Sequence, residues 1–298
     1  MRAGLFILSG VAIAVLQDAI VKGLSAGYPT WEVVAFRGAT ATPIFVIWAI
    51  FAGLNPFHLP QKAGLILLRS FILFTAYMAF ALSVATLPLA NAIAIYFTMP
   101  IFVGLLSAAT LGEKVPPHRW LAIFVGFLGV LISVHPGAET FQPAALLALY
   151  SGLGYAVGQI LSRRISQTVE PLVIANAQSL FYFAGSATLG LVITTLHIDA
   201  SGLATFAAMT KAAAWPNWQD FGVMMVMGLL SCVSSVLFVK AYQAAPANFV
   251  APLEYSAIVW AMIYGVVFFR DWPDFYTIAG AIVVIIAGLL MMAEDRRT

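Results

Sequence analysis

The chain has 298 residues, of which 62% are hydrophobic and 9% charged, and its formal net charge at pH 7 is +2. Soluble domains contain about 25% charged residues, so a water-soluble globular fold is excluded and a membrane protein is expected. The scattered Lys and Arg residues form no basic tract for nucleic acid. A single cysteine, Cys232, and four histidines without ligand spacing give no disulfide and no metal site.

Ten apolar stretches are long enough to cross the hydrocarbon core, which takes about 20 residues. Backbone groups in lipid must be hydrogen-bonded within their own segment, so all ten are predicted to be α-helices. The first continues through Asp18 without a small-residue cleavage site, which favours a span over a secretory signal. The predicted spans are residues 4–24, 31–53, 64–86, 90–111, 119–136, 143–162, 172–195, 220–242, 248–269 and 275–292.

The loops between the spans differ in positive charge. With the N-terminus in the cytoplasm, the internal loops and tails carry eight Lys and Arg residues, whereas the external loops carry only Lys211 and Arg270. Positive loops stay in the cytoplasm, so both termini are predicted to lie inside, in a multi-pass protein of the cell inner membrane. The longest connection, residues 197–219, contains Trp215 and Trp218, which are typical of a segment at the membrane interface.

The two halves of the chain share local patterns. The sequence LGEKVP follows the fourth span at residues 111–116, and FFRDWP follows the ninth at residues 268–273. Asn91 and Asn248 lie 157 residues apart, as do Glu113 and Arg270. Five spans per half is an odd number, so the second half must be inserted with the opposite orientation, as in alternating-access transporters. We therefore predict two modules, residues 1–137 and 138–298, that form two inverted five-helix repeats around a central cavity.

These patterns resemble a known family. The run LPLANAIAIYFTMPIFVGLLSAATLGEKVPPHRWLAIFVGFLGVLISVHPG at residues 87–137 is similar to the EamA-type module of the drug/metabolite transporter superfamily. In the second half, YAVGQILSRR at residues 155–164, APLEY at 251–255 and DWPD at 271–274 agree with a second module. The resemblance covers nearly the whole chain as two tandem modules.

The resemblance implies a basket of ten helices whose cavity closes alternately at its two ends. Members of the family include exporters of aromatic and other amino acids and importers of riboflavin, S-adenosylmethionine and related metabolites. Two positions differ from the family pattern. Asn91 stands where relatives often have an acid, and Arg270 where a glutamate is common, so a proton-coupling role is not carried over to either position.

Ionisable residues inside spans are functional candidates, because each costs about 2.5–3.5 kcal/mol on insertion scales. Asp18 is either half of a self-neutralising i,i+4 pair with Lys22 or a polar anchor for substrate. Glu254 follows Pro252 and is either a cavity residue that binds an amino group or a proton, or a residue at the rim. The remaining charges are assigned by depth: Arg37 is expected to pair inward, Glu32 to be interfacial, and Arg69 and Lys240 to snorkel to water.

Polar and aromatic side chains away from the interfaces complete the predicted cavity. A phenol or amide at membrane depth needs a hydrogen-bond partner, although core packing is the competing explanation for each one. The predicted cavity residues are Gln17, Asp18, Tyr77, Asn91, Tyr96, Tyr155, Gln159, Asn176, Gln178, Glu254, Tyr255 and Trp260. Hinges are predicted at Pro88, Pro100 and Pro252. This set predicts an aromatic and nearly uncharged cavity.

Other classes of membrane protein fit the sequence less well. An enzyme needs a nucleophile with its base or a metal set, a channel a filter segment or rings of charge, and a primary pump a phosphate-binding loop; the sequence has none of these. We therefore predict a monomeric secondary transporter without a cofactor, which contacts lipid and a small-molecule substrate, with protons as a coupling ion. Export of aromatic and apolar amino acids is the first candidate, and import of a vitamin or nucleoside-like metabolite is the alternative.

The charge bias gives a direct test of orientation. Reporter fusions should place Thr298 in the cytoplasm and the 197–219 connection outside, because moving the positive loops across the membrane is unfavourable. An alkaline phosphatase fusion at Thr298 is expected to be inactive, and one in the 197–219 connection active. Activity of the Thr298 fusion would contradict the predicted topology.

Overall fold

The fold is taken from a computed structural model, which describes residues 2–25, 27–55, 63–86, 89–112, 115–134, 143–165, 169–200, 202, 204–246, 249–250, 253–270, 272 and 275–294. Within these ranges all regular structure is helical. The helices are α1 Arg2–Leu24, α2 Thr30–Phe51, α3 Ala63–Thr86, α4 Leu89–Tyr96, α5 Met99–Leu111, α6 Pro117–Val134, α7 Pro143–Ile165, α8 Pro171–Thr195, α9 Ala204–Ala207, α10 Trp218–Ala244, α11 Ala257–Tyr264 and α12 Phe275–Glu294. A 3₁₀ turn, Glu254–Ser256, precedes α11, and a π-helical turn, Gly265–Phe269, follows it.

Six of these helices are long and apolar enough to cross a membrane: α1, α2, α3, α7, α8 and α10. Shorter apolar helices lie at Met99–Leu111, Trp120–Gly129, Glu254–Phe269 and Ile278–Ala287. The prediction of an all-helical, multi-pass membrane protein is confirmed. The count of ten spans stays a prediction.

The fourth predicted span, residues 90–111, is not one helix. α4 ends at Tyr96, and α5 begins at Met99 after a turn at residues 97–98. Pro100 lies in the first turn of α5, where its missing N–H costs little because that group has no intrahelical partner. Pro100 therefore lies at the start of α5, next to the break between α4 and α5, and a hinge at this position stays a prediction. The other two predicted hinges, Pro88 and Pro252, lie outside the described residues.

Small residues allow the long helices to approach closely. Gly154 and Gly158 of α7 face α3, where an added Cβ would lie 2.9 Å from Ala76 Cβ and 2.5 Å from Leu73 Cδ2. α2 and α8 touch at Gly38, where a Cβ would overlap the backbone nitrogen of Phe183. The hydrophobic effect does not drive helices together within lipid. Close van der Waals contact therefore stabilises these helix pairs.

The helix directions follow from contacts between side chains. Along α1, Gly10 faces Phe238 and Gln17 donates to Ser234 Oγ (3.0 Å), so α1 and α10 are antiparallel. We call the end of the bundle where α1 begins the proximal end, and the end where it finishes the distal end.

The long connection before α10 packs on the distal end. The backbone nitrogen of Ala214 donates to Glu32 Oε2 (3.3 Å), and Trp215 makes an edge contact with Phe36, with ring centroids 6.0 Å apart. The prediction that Glu32 is a plain interfacial residue is wrong, because its side chain is 7% exposed and anchors this connection. Tyr28 adds a hydrogen bond to Asp220 Oδ2 (2.8 Å).

The contact at Gly38 provides a test of helix packing. Gly38→Ala should lower the free energy of unfolding by about 1–3 kcal/mol, because the new methyl group meets backbone that cannot rotate away. Gly222→Ala on α10 is the control, since nothing lies within 4 Å of its added Cβ. That change should raise stability by about 0.5–1 kcal/mol. Denaturant titration in detergent measures both, and equal effects of the two changes would contradict the packing.

Candidate functional site

A cavity of about 720 Å³ lies between α1, α3, α4, α7, α8, α10 and α11, with Arg37 of α2 also in its wall. Sites for drug-sized ligands measure about 300–1,000 Å³, so the cavity has room for such a solute. Its polar and aromatic wall includes Gln17, Asp18, Lys22, Arg37, Arg69, Tyr77, Phe80, Tyr96, Tyr155, Gln159, Gln178, Tyr182, Ser234 and Glu254.

Eight of the twelve predicted cavity residues lie in this wall: Gln17, Asp18, Tyr77, Tyr96, Tyr155, Gln159, Gln178 and Glu254. The side chain of Asn91 lies outside the described residues. Asn176 is buried away from the wall. What these side chains contribute to transport stays a prediction.

Two predicted residues pack elsewhere. The hydroxyl of Tyr255 donates to the carbonyl oxygen of Ile123 (3.3 Å), and its ring packs edge-on against Phe97, with centroids 5.5 Å apart. Consecutive residues of a helical turn point in different directions, so Glu254 enters the cavity while Tyr255 enters the core. Trp260 stacks on Tyr264, with centroids 5.9 Å apart.

Glu254 is held between two helices. Its side chain is 4% exposed and accepts hydrogen bonds from the hydroxyls of Tyr155 on α7 (2.8 Å) and Tyr242 on α10 (2.5 Å). A phenol either donates or accepts, so both tyrosines can adjust when the carboxyl gains a proton. The sequence indicated Tyr155 as a cavity residue, but it gave no signal for Tyr242.

Arg37 occupies an aromatic clamp. Its guanidinium carbon lies 4.7 Å from the ring centroid of Tyr77 and 4.8 Å from that of Tyr182, and its Nε donates to Ser231 Oγ (2.9 Å). A desolvated guanidinium over an aromatic face gains about 2 kcal/mol or more from the cation–π interaction. The prediction that Arg37 pairs inward is confirmed.

Arg69 does not snorkel, and that prediction is wrong. Its side chain is 5% exposed, and it donates from Nε to Ser162 Oγ (2.5 Å) and from Nη1 to Gln178 Oε1 (3.3 Å). The long side chain therefore turns towards α7 and α8, where small and amide side chains receive it. With Asp18, Lys22, Arg37, Arg69 and Glu254 in one wall, the cavity is also not the nearly uncharged one expected from the sequence.

The described residues at the proximal end of the cavity pack together. Below Arg69, five buried residues from α3, α7, α8, α10 and the turn before α8 form an apolar cluster: Ile66, Ile165, Val169, Ile174 and Val239. Arg163 Nη1 donates to the carbonyl oxygens of Tyr242 (3.1 Å) and Gln243 (3.0 Å), at the last turn of α10. We call these two hydrogen bonds the proximal latch.

The distal end of the cavity reaches the surface. Its wall includes Phe269 and Trp272, and the side chain of Trp272 is 80% exposed. Lys22 Nζ lies 4.7 Å from the ring centroid of Phe269 at this mouth. Among the described residues, the cavity wall therefore reaches an exposed side chain at the distal end, whereas buried apolar residues and the latch lie at the proximal end.

Thiol labelling tests this asymmetry in a Cys232→Ala background. Gly265→Cys places a thiol in the cavity wall near the mouth, whereas Ile165→Cys places one in the proximal cluster, where the side chain is 0% exposed. A membrane-impermeant maleimide added from the distal side should label the first thiol quickly and leave the second unmodified. Similar rates at both positions would contradict a distal opening.

Comparisons with known proteins agree with this site and fold. The model of the EamA-like transporter family matches residues 1–135 and 142–293. The chain is 25% identical over 296 residues to an S-adenosylmethionine uptake transporter of Rickettsia bellii, covering 99% of this chain and 94% of the relative. It is 28% identical over 287 residues to the pseudopaline exporter of Pseudomonas aeruginosa, covering 94% of each. A riboflavin transporter of Rhizobium johnstonii is 28% identical over 219 residues, which cover 74% of this chain and 67% of the relative.

A solved crystal structure has the same fold. It superposes with a TM-score of 0.82 over 99% of this chain and 98% of the other, at 16% sequence identity. The family model spans nearly all of the chain, and its relatives are named as transporters and not as enzymes. The chain therefore belongs to the EamA-like transporter family.

Proposed function

We propose that this protein is a secondary transporter of small zwitterionic metabolites that contain an amino-acid group attached to an apolar or aromatic body. The observation that carries the proposal is the cavity wall, which brings buried groups of both charges together with aromatic rings. A guanidinium binds a carboxylate, a carboxylate binds an ammonium group, and rings pack against the body of the solute.

The aromatic part of the wall surrounds the acidic group. Tyr96 packs against Phe80 and Tyr155, with ring centroids 4.9 and 5.8 Å away. Tyr155 in turn donates to Glu254. An ammonium group at Glu254 would therefore lie beside a cluster of aromatic rings, which also attract cations through their faces.

Two forms of this proposal differ in the solute and the direction. Export of aromatic or apolar amino acids is supported by the rings around Glu254 and by the relative that is named an exporter. Import of a nucleoside-bearing amino acid is supported by the 720 Å³ volume, which exceeds the needs of a single amino acid, and by the relatives named for S-adenosylmethionine uptake.

Alternating access by inverted repeats forms the structural part of the proposal. We count ten spans by joining α4 with α5 as the fourth and taking the apolar segment Glu254–Phe269 as the ninth. If each span of the first half corresponds to the span five places later, α1 corresponds to α7, α2 to α8, α3 to α10 and α6 to α12. The contact between α1 and α10 then corresponds to the contact between α7 and α3. The α2–α8 and α6–α12 contacts each join two corresponding helices. These four are the most extensive helix contacts among the described residues, so the packing supports a twofold relation between the halves.

The contacts also connect the cavity to its closed end. Tyr242 holds Glu254 through its hydroxyl, while its backbone carbonyl accepts from Arg163 in the proximal latch. A proton or an ammonium group that arrives at Glu254 competes with the phenol of Tyr242 for the carboxylate oxygen. Movement of α10 in response would strain the latch, which gives a physical route from occupancy to opening.

A proteoliposome panel tests the proposed function. Purified protein should take up a labelled zwitterion saturably from a set that contains L-tryptophan, L-phenylalanine, S-adenosylmethionine and riboflavin, with and without an imposed pH gradient. Uptake of at least one amino-acid member over protein-free vesicles is expected, with competition among these members. Uptake of riboflavin alone would contradict a zwitterion carrier.

Glu254→Gln tests the acidic group in the same assay. The amide oxygen can accept from one of the two tyrosines and the amide NH2 can donate to the hydroxyl of the other, but the amide neither ionises nor binds a proton. Transport should fall at least about tenfold or lose its pH dependence, while expression and the unfolding temperature stay near those of the parent.

The matched control is Lys240→Gln on α10, which removes an exposed ionisable group outside the cavity wall. It should transport like the parent. If Glu254→Gln also keeps the rate and pH profile of the parent, Glu254 has no role in transport.

A further inference from the structure

The guanidinium of Arg69 lies at the closed floor of the cavity. Its side chain is in the cavity wall and 5% exposed, between α7 and α8. Arginine has five N–H donors, of which the contacts to Ser162 and Gln178 use two. The three that are left are on the two terminal nitrogens, which form the fork that matches a carboxylate.

The charge of Arg69 is uncompensated among the described residues. Both of its hydrogen-bond partners, Ser162 and Gln178, are neutral. Arg37 differs, because its guanidinium lies over the faces of two aromatic rings. A buried cation without an anion is strongly unfavourable, so its retention points to an anion that binds there in a part of the working cycle.

The two partners of Arg69 also make hydrogen bonds of their own. Ser162 Oγ donates to the carbonyl oxygen of Gly158 (2.8 Å), and Gln178 Nε2 donates to that of Ser70 (3.4 Å). Removing the guanidinium therefore leaves each side chain with a hydrogen bond, although Gln178 Oε1 loses the donor that Arg69 supplies.

We propose that Arg69 is the carboxylate-binding subsite of the cavity, at the end opposite the distal mouth. This rests on the proposed function, because it assigns one charged group of the zwitterion to one residue. The carboxylate of the solute accepts from the terminal nitrogens of Arg69, and the body of the solute extends towards Tyr155 and the mouth. A solute without a carboxylate leaves the cation unpaired and binds weakly.

Thermal unfolding of the purified full-length protein in detergent tests the subsite. The probes are L-tryptophan, its carboxyl-free counterpart tryptamine, and benzoate as a bare aromatic carboxylate, all at matched ionic strength. L-Tryptophan and benzoate should raise the unfolding midpoint of the parent, whereas tryptamine should not. The variants are Arg69→Gln, Arg69→Lys and the exposed-cation control Lys240→Gln.

Arg69→Gln should weaken the apparent affinity for both carboxylates by at least about tenfold, because it removes one partner of a buried charge pair. Arg69→Lys should keep part of the effect, since it retains the charge without the planar fork. Lys240→Gln should respond like the parent. Unliganded Arg69→Gln should unfold at the same temperature as the parent or higher, because an uncompensated buried charge has been removed.

The outcomes separate this inference from the proposed function. If benzoate stabilises the parent through Arg69 but L-tryptophan does not, the carboxylate subsite stands and an aromatic amino-acid solute is contradicted. If neither carboxylate stabilises the parent, or if Arg69→Gln keeps the parental response to them, the subsite is overturned. A lower midpoint for unliganded Arg69→Gln together with an intact carboxylate response identifies a structural arginine and also overturns it.

Discussion

The free-energy cost of placing a charge in the hydrocarbon core determines where the ionisable side chains of this protein lie. An ionisable side chain at membrane depth costs about 2.5–3.5 kcal/mol on insertion scales unless it reaches water or a partner. Asp18, Arg37, Arg69 and Glu254 come from four different parts of the chain, and all of them line one cavity. Close helix contacts at glycine bring the walls of this cavity together, and serine, glutamine and tyrosine side chains hydrogen-bond to Arg37, Arg69 and Glu254.

The sequence predicted the features that follow from local pattern. The length of the apolar stretches predicted the helices. The distance of Glu254 and Tyr155 from the ends of their predicted spans indicated them as cavity residues, and they hydrogen-bond to each other. Arg69 was assigned wrongly because a long side chain near a helix end reaches either water or the interior. The choice depends on Ser162, 93 residues further along the chain. The turn at residues 97–98 and the core position of Tyr255 likewise depend on packing between distant segments.

The two ends of the cavity differ in their contacts. The proximal end has an apolar cluster and the latch from Arg163 to the last turn of α10, whereas the distal end includes the exposed Trp272. If the termini are cytoplasmic and the carrier alternates as proposed, this arrangement corresponds to an outward-open state. Reaching an inward-open state would then require breaking the latch and separating the cluster, and both involve α10, which also carries the tyrosine bonded to Glu254. In that proposal, α10 connects occupancy of the cavity with opening of its proximal end.

The central claim, a carrier whose cavity opens alternately to the two sides, is tested most directly by counterflow. Proteoliposomes are loaded with a high concentration of an unlabelled zwitterion from the proposed class, and a trace of the labelled compound is added outside. A carrier returns with its cavity occupied, so the label should accumulate transiently inside above its equilibrium level and then decline. A monotonic rise to equilibrium for every such zwitterion, as through an open pore, would contradict the account.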